Sequence, residues 1–409
     1  MNTALPPRGL SKQEVSAAML ELKSSDANWR GGRTWSLIYP AGDDVDEVLR
    51  DAHELFMFEN ALNPFRFPSL KIMEGEVVSM TASLLNAGDD AGGAMTSGGT
   101  ESILMAVKTA RDRARELRGV RNPELLAPVS AHPAFAKAAK YLDMEHRQIP
   151  LGEDLRADAN AASRLVNDNT ALIVGSAPNY PHGLIDPIEE LAAIAAEREI
   201  SFHTDACVGG FILPFLERLG CDIPAWDFRV PGVTTISADV HKYGYTTKGA
   251  SVIVHRDSEN IRFHAFLYDQ WPGGLYGTMA MAGARPAAAV AAAWAVMNYL
   301  GEDGYIRLAR VLRDTTQRLR EGIRAIPGLE IWGNPPATLL SFGSEDFDIM
   351  AVGDVMDQRG WHLDRQEKPA ALHMMVTPNH AKVVDEFLSD LAEGVKVRGE
   401  SLGKEARYS

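Results

Sequence analysis

The chain has 409 residues, 45% of them apolar, with 35 glycines, two cysteines and a formal net charge of −14. This composition excludes disordered, collagen-like and solenoid chains, and the negative charge argues against nucleic acid or an anionic membrane surface as the main partner. Two thiols, Cys207 and Cys221, make no disulfide framework; they read as small core residues in a reducing, cytoplasmic setting.

So long a chain exceeds one hydrophobic core and calls for a large domain with a smaller one beside it. Residues 1–10 lack the basic start and apolar run of a signal peptide, so no secretion is expected. Residues 1–50 read as an N-terminal arm with an apolar stretch over 34–39. Asp43-Asp44 offers an N-cap for a helix whose apolar positions are Val45, Val48, Leu49, Ala52, Leu55 and Phe56, and Leu70, Met73, Val77, Met80 and Leu84 mark a second helix.

From Gly93 to Arg256, β-prone runs at 125–129, 171–175, 200–205, 233–237 and 251–254 alternate with helical patterns such as 103–117 and 188–196. That alternation predicts βαβ units in a mostly parallel sheet, an α/β large domain over 51–300. The alanine-rich run 287–300 is too short to span a bilayer and reads as a buried helix. After Gly301-Glu302-Asp303-Gly304 a long helix, two strands, then helix, strand and helix predict a small α+β domain over 301–397, with a polar tail over 398–409.

Four segments carry candidate chemistry. Thr96-Ser97-Gly98-Gly99-Thr100-Glu101-Ser102 opens a helix, and its glycines, hydroxyls and helix N-terminus can cradle a phosphate or simply cap the helix. The run 200–205 ends in Asp205, which places an acid at the carboxyl edge of the sheet, where it can hold a protonated ring nitrogen. Ser237-Ala238-Asp239-Val240-His241-Lys242-Tyr243-Gly244-Tyr245 follows another strand and sets Lys242 among aromatics, where desolvation favours the free amine that attacks an aldehyde. His132, in Ser130-Ala131-His132-Pro133, can stack a flat ring on a cofactor. Each of these residues taken singly also has an ordinary structural use: Asp205 as a cap, Lys242 as a solvated surface residue, His132 as a satisfied structural histidine.

Their order, a phosphate turn, a stacking His, a strand-end Asp and then His-Lys, resembles the fold type I enzymes of the group II decarboxylase superfamily, which depend on pyridoxal 5′-phosphate (PLP). Within it, Pro181-His182-Gly183-Leu184-Ile185-Asp186-Pro187, residues 203–210 and 237–249, Gly273-Gly274-Leu275-Tyr276 and Gly283-Ala284-Arg285-Pro286 resemble the sphingosine-1-phosphate lyase family, from about Tyr39 to Val397. The resemblance implies a large domain on a seven-stranded, mostly parallel sheet with a small C-terminal α+β domain. It implies that Lys242 carries PLP as a Schiff base, that Asp205 pairs with the pyridine nitrogen and that His132 stacks on the ring. Ser97, Gly98, Gly99, Thr100 and His241 then hold the cofactor phosphate, with Gly277 and Thr278 reaching it from the second subunit of a homodimer.

The implied reaction is retro-aldol cleavage of a phosphorylated sphingoid base or related β-hydroxy amine. The partner is thus a small anionic or amphiphilic amine; no metal is implied. An amino-acid decarboxylase of the same superfamily is the alternative, and a PLP-binding protein without turnover the third reading. For the substrate phosphate the resemblance points to Tyr39, Lys248 and position 63. Family members typically read Asn-Pro-Leu-His-Pro where this chain has Asn60-Ala61-Leu62-Asn63-Pro64, so Asn63 replaces a histidine. Their Ser-Pro-Thr and Gly-Ser-Arg-Pro segments are altered here to Thr278-Met279-Ala280 and Gly283-Ala284-Arg285-Pro286. The membrane-spanning N-terminus of eukaryotic members has no counterpart, which implies a soluble form with no membrane span.

Overall fold

The computed structural model describes residues 4–63, 65–403 and 406; Pro64 and part of the expected tail lie outside them. Strands β1 (Gly92–Thr96), β2 (Glu124–Pro128), β3 (Glu145–Ile149), β4 (Thr170–Ser176), β5 (Ser201–Asp205), β6 (Thr235–Ala238) and β7 (Ser251–His255) form one sheet in the order β1, β7, β6, β5, β4, β2, β3. The neighbours from β3 to β6 are parallel, whereas β7 runs antiparallel to both β6 and β1. The fold is therefore the α/β class that the alternating pattern predicts.

Strands β4 and β5 are buried along their whole length, and helices such as Gly99–Arg118 and Ile188–Ala196 pack on the sheet. Burial on both faces explains why β4 reads as a nearly continuous apolar run instead of an alternating one, while β5, Ser-Phe-His-Thr-Asp, buries polar side chains as well. The two outer strands show less of a pattern. Strand β3, Glu-His-Arg-Gln-Ile, is a polar edge, and three of the five residues of β1, Gly-Gly-Ala-Met-Thr, are glycine or alanine. The segment β8 (Phe266–Tyr268) pairs with β9 (Tyr276–Thr278) in a short hairpin whose β8 side chains are exposed.

The helix Ala287–Ala325 breaks its helical backbone at Gly301, where φ is 54°, at the position where the sequence pattern changes. Beyond it β10 (Glu330–Ile331), β11 (Leu339–Gly343), β12 (Asp364–Glu367) and β13 (Ala370–Met375) form an antiparallel sheet in the order β10, β11, β13, β12. Helices Ile349–Gln358 and Val384–Val397 pack with it.

Two local expectations change. Helix Asp43–Leu55 is capped by Gly42 without a side-chain hydrogen bond, so Asp43 and Asp44 sit in the first turn, where their charge meets the positive end of the helix dipole. The arm is also not all loose: helix Lys12–Lys23 buries nothing, but Trp35 is fully buried, stacked on His380 at 3.9 Å between ring centroids, and its backbone N–H donates to the His362 carbonyl. The apolar stretch 34–39 is thus part of the C-terminal core. Among the described residues no helix is long and apolar enough to cross a membrane.

Candidate active site

Strands β4, β5 and β6 run parallel and end together at Ser176, Asp205 and Ala238, and a cavity of about 320 Å³ lies at this carboxyl edge. That is where ligands bind in open α/β sheets, and the volume is at the lower end of small-molecule sites. Its wall brings together Ser97, Gly98, Gly99, Thr100, His132, Asp205, His241 and Lys242, all of which the sequence pointed to.

Lys242 is held by the turn between the antiparallel neighbours β6 and β7. Its Nζ lies 3.0 Å from Asp239 Oδ2, and His241 Nε2 lies 3.5 Å from the same oxygen. His241 Nδ1 accepts the Ala250 N–H, so the ring proton is on Nε2 and faces Asp239. Burial pushes the Asp239 carboxyl up, but the Lys242 charge and the His241 and Ser251 contacts outweigh it and hold the group well below the usual carboxylate range.

The residues flanking Lys242 fix the turn from outside. Tyr243 is fully buried and donates to the Val376 carbonyl while accepting from Thr338. Gly244 admits no side chain, because a Cβ there would lie 2.4 Å from the Val240 carbonyl oxygen, and the Gly244 carbonyl accepts from Tyr305. Lys242 therefore faces the cavity from a turn pinned to both sheets.

Asp205 Oδ1 accepts the Cys207 N–H at 3.0 Å and the Ser237 hydroxyl at 3.4 Å. Behind it, buried His203 bridges Thr235 and Ser237, and burial lowers its ring to about 4. His132 Nδ1 accepts the Ala134 N–H. Burial lowers the His132 pKa, with the Asp205 charge pulling the other way, so the ring facing the cavity is neutral near pH 7.

At the phosphate turn, the N-terminal amides of helix Gly99–Arg118 open into the same cavity. Gly99 must be glycine: a Cβ would come within 2.8 Å of Cys207 Sγ and 2.9 Å of Asp239 Oδ2. Buried Glu101 ties this turn down. One of its oxygens accepts the Ser97 N–H at 2.7 Å and the Ser97 hydroxyl at 2.6 Å, and the other accepts the Met281 N–H at 2.7 Å. The Ser97 proton is thus engaged with Glu101, and this hydroxyl meets a phosphate as a donor only by turning. Glu101→Ala is expected to cost about 1.5–3 kcal/mol, the scale of one hydrogen bond to a charged group, because loop ordering offsets part of the sum. Thermal unfolding of the purified variant, where a melt unchanged from wild type contradicts the tie, measures it.

The other predicted residues divide into two groups. Lys248 Nζ lies 4.8 Å from the Tyr39 ring centroid and donates to the His241 carbonyl at 3.3 Å. Burial, reinforced by the nearby Lys242 charge, lowers the Lys248 ammonium to about 8. Tyr39 is buried edge-on to Tyr243, with its hydroxyl on Met375 Sδ. Asn63, Gly277 and Thr278 lie elsewhere: within one chain they line a separate cavity of about 580 Å³ with Lys71 and Arg285. Asn63 Oδ1 accepts the Phe65 and Arg66 N–H groups, a turn-capping use that a sequence comparison at position 63 does not reveal.

Asp239, Glu101, Ser237 and Tyr180 were not singled out from the sequence. The first three stand inside the segments that were, and their signal is a buried polar residue type beside a chemical one.

A lysine, an acid and a flat imidazole at the carboxyl edge of this sheet, beside amides and hydroxyls suited to a phosphate, have the chemistry that a PLP site needs. The chain belongs to the pyridoxal-dependent decarboxylase family, whose conserved domain matches residues 33–344. Within it the chain stands with the sphingosine-1-phosphate lyases. It is 43% identical over 404 residues to the sphingosine-1-phosphate lyase of Oryza sativa, covering 97% of this chain and 74% of that one, and 40% identical over 408 residues to that of Saccharomyces cerevisiae, covering 98% and 69%. The solved structure of a Burkholderia pseudomallei sphingosine-1-phosphate lyase superposes with a TM-score of 0.94 at 40% identity, covering 97% of this chain and 93% of that one. Glutamate decarboxylase of Lactobacillus brevis shares the fold at a TM-score of 0.85 and 20% identity, covering 97% and 95%. The cofactor is pyridoxal phosphate, and the donor set of the cavity suits it.

Proposed function

We propose that this enzyme cleaves the C2–C3 bond of a phosphorylated sphingoid base by a retro-aldol reaction, releasing a long-chain aldehyde and phosphoethanolamine. The observation that carries the reading is the full-length likeness to sphingosine-1-phosphate lyases, and the cation Lys248 kept beside Tyr39 next to the Lys242 turn agrees with it. Lys242 would hold the cofactor covalently, Asp205 would pair with its ring nitrogen, His132 would stack on its ring, and Ser97, Gly98, Gly99, Thr100 and His241 would take its phosphate. Bound there, PLP supplies a sink for the electron pair left on C2. Lys248 and Tyr39 orient the substrate head group.

The working unit in this reading is a homodimer. Exposed Phe58, Phe65, Leu267, Trp271 and Leu275 lie on the segments that carry Asn63, Gly277 and Thr278, and a second copy set against them removes that apolar surface from water. It also gives Asn63, Gly277 and Thr278 a route to a cofactor cavity that their own chain does not offer. Cys207 and Cys221 are free thiols, which supports a reducing cytoplasm.

Incubation of the purified enzyme with sphingosine 1-phosphate and with a panel of amino acids tests the reading, with aldehyde as the expected product. Carbon dioxide without aldehyde moves the activity to an amino-acid decarboxylase. Lys248→Ala is expected to weaken phosphoethanolamine binding by about 1.5–3 kcal/mol, the scale of a charge-assisted hydrogen bond. In the wild-type enzyme binding should fall as pH rises through about 8, because the Lys248 cation is present below that value and lost above it. Titration of the cofactor's visible absorption checks both, and affinity equal in wild type and Lys248→Ala removes Lys248 from the site.

A further inference from the structure

Tyr180 stands in the wall of the Lys242 cavity and also in that of an adjoining cavity of about 390 Å³, to which Asp364 contributes. Its hydroxyl donates to Asp364 Oδ2 at 2.7 Å, and the other carboxylate oxygen accepts the Ser36 hydroxyl at 3.1 Å. A carboxylate only accepts, so the single phenolic proton of Tyr180 is committed to Asp364 and the phenol oxygen offers only lone pairs to anything else.

The arrangement is built from three parts of the chain. Tyr180 follows β4, Asp364 opens β12, and Ser36 belongs to the N-terminal stretch that enters the C-terminal core. Fully buried His373, the register partner of Asp364 on β13, backs the pair with its ring 4.5 Å from that of Tyr180. Burial raises the Asp364 carboxyl, but its contacts with His373, Tyr180 and Ser36 outweigh this and keep it below the usual range, so the acceptor is ionised.

We propose that Asp364 is a positioning residue that fixes Tyr180 as a hydrogen-bond acceptor where the two cavities meet, matched to a hydroxyl donor on the substrate. This rests on the lyase reading, in which that donor is the C3 hydroxyl of the sphingoid base. A phenol locked in this sense accepts an O–H and meets a carbonyl or carboxylate oxygen lone pair to lone pair, so the device selects the hydroxylated amine over its oxidised counterpart.

The test uses the holoenzyme with sphinganine 1-phosphate, its 3-deoxy analogue and its 3-keto analogue. For wild type, the 3-keto compound is expected to bind at least about fivefold more weakly than the 3-deoxy compound, read from the cofactor's visible absorption. In Asp364→Ala, kcat/KM for sphinganine 1-phosphate is expected to fall at least about tenfold while 3-deoxy binding stays within about twofold. Asp364→Asn, which keeps a carbonyl acceptor for the phenol, is expected to recover most of that loss. Wild-type binding of the 3-keto compound as tight as the 3-deoxy compound overturns the proposal without any variant, and so does a parallel loss on both compounds in Asp364→Ala. A wild type that cleaves sphinganine 1-phosphate while Asp364→Ala cleaves it equally well defeats this inference alone. A wild type that neither binds nor cleaves any of the three defeats the lyase reading and this inference with it.

Discussion

Lys242→Ala is expected to abolish the borohydride-reducible link between protein and cofactor and to lower turnover by about four orders of magnitude or more, the scale seen when a covalent catalyst is deleted. Among the described residues, Lys242 is the lysine in the wall of the cavity that holds Asp205 and His132. The change removes an amine from beside buried Asp239, but Asp239 keeps His241 at 3.5 Å and the turn keeps its Tyr243 and Gly244 anchors. The variant should therefore fold, with a lower melting temperature, and bind the cofactor without a covalent bond. Borohydride reduction followed by peptide mass analysis reads the outcome directly. A pyridoxyl group still attached in Lys242→Ala assigns the attachment to another lysine and removes Lys242 from its role.

The large sheet was legible where its buried strands carry β-prone residues: β4 is a nearly continuous apolar run, and β5, β6 and β7 mix apolar and polar residues that are all buried. Strand β3 was not, since an edge strand carries charge on its free side, and β1 was not, since Gly93 is forced by the Ile253 carbonyl, 2.5 Å from where a Cβ would stand. The Lys242 cavity was legible because each of its chemical residues sits near a strand end or helix start, positions that local pattern reveals. Asp239 and Glu101 were quoted within those segments but carry no local mark of use: Lys242 and Ser97 stand within a turn of them in sequence, whereas Met281 becomes a partner of Glu101 only when the segments after β1 and β9 meet. Tyr180 and Asp364 are farther still from sequence reach, 184 residues apart, one after β4 of the large sheet and the other opening β12 of the small one. Asn63 has a use that a linear pattern does not show: its side chain serves its own turn, and within one chain it lines a cavity apart from that of Lys242.

Asp205→Asn is expected to reduce turnover by one to three orders of magnitude with little loss of stability, and Asp205→Ala by at least as much. The carboxylate ends β5 at the cavity, and one of its oxygens is spoken for by the Cys207 N–H and the Ser237 hydroxyl, both of which an asparagine carbonyl also satisfies. What asparagine removes is the charge. An adjacent carboxylate raises the pKa of a cationic partner by about 1–3 units, and each unit is worth about 1.4 kcal/mol. The same energy appears in the barrier to the extent that the protonated ring stabilises the developing negative charge, so two units correspond to roughly a hundredfold. Alanine adds the loss of the Cys207 and Ser237 contacts, and its thermal melt should fall further than that of the asparagine variant. Single-turnover rates with sphingosine 1-phosphate, compared with melting temperatures for both variants, separate the two effects. If Asp205→Asn turns over at the wild-type rate, the charge at this strand end is not the one that serves the ring, and Asp205 is left as the acceptor that shapes the turn into Cys207.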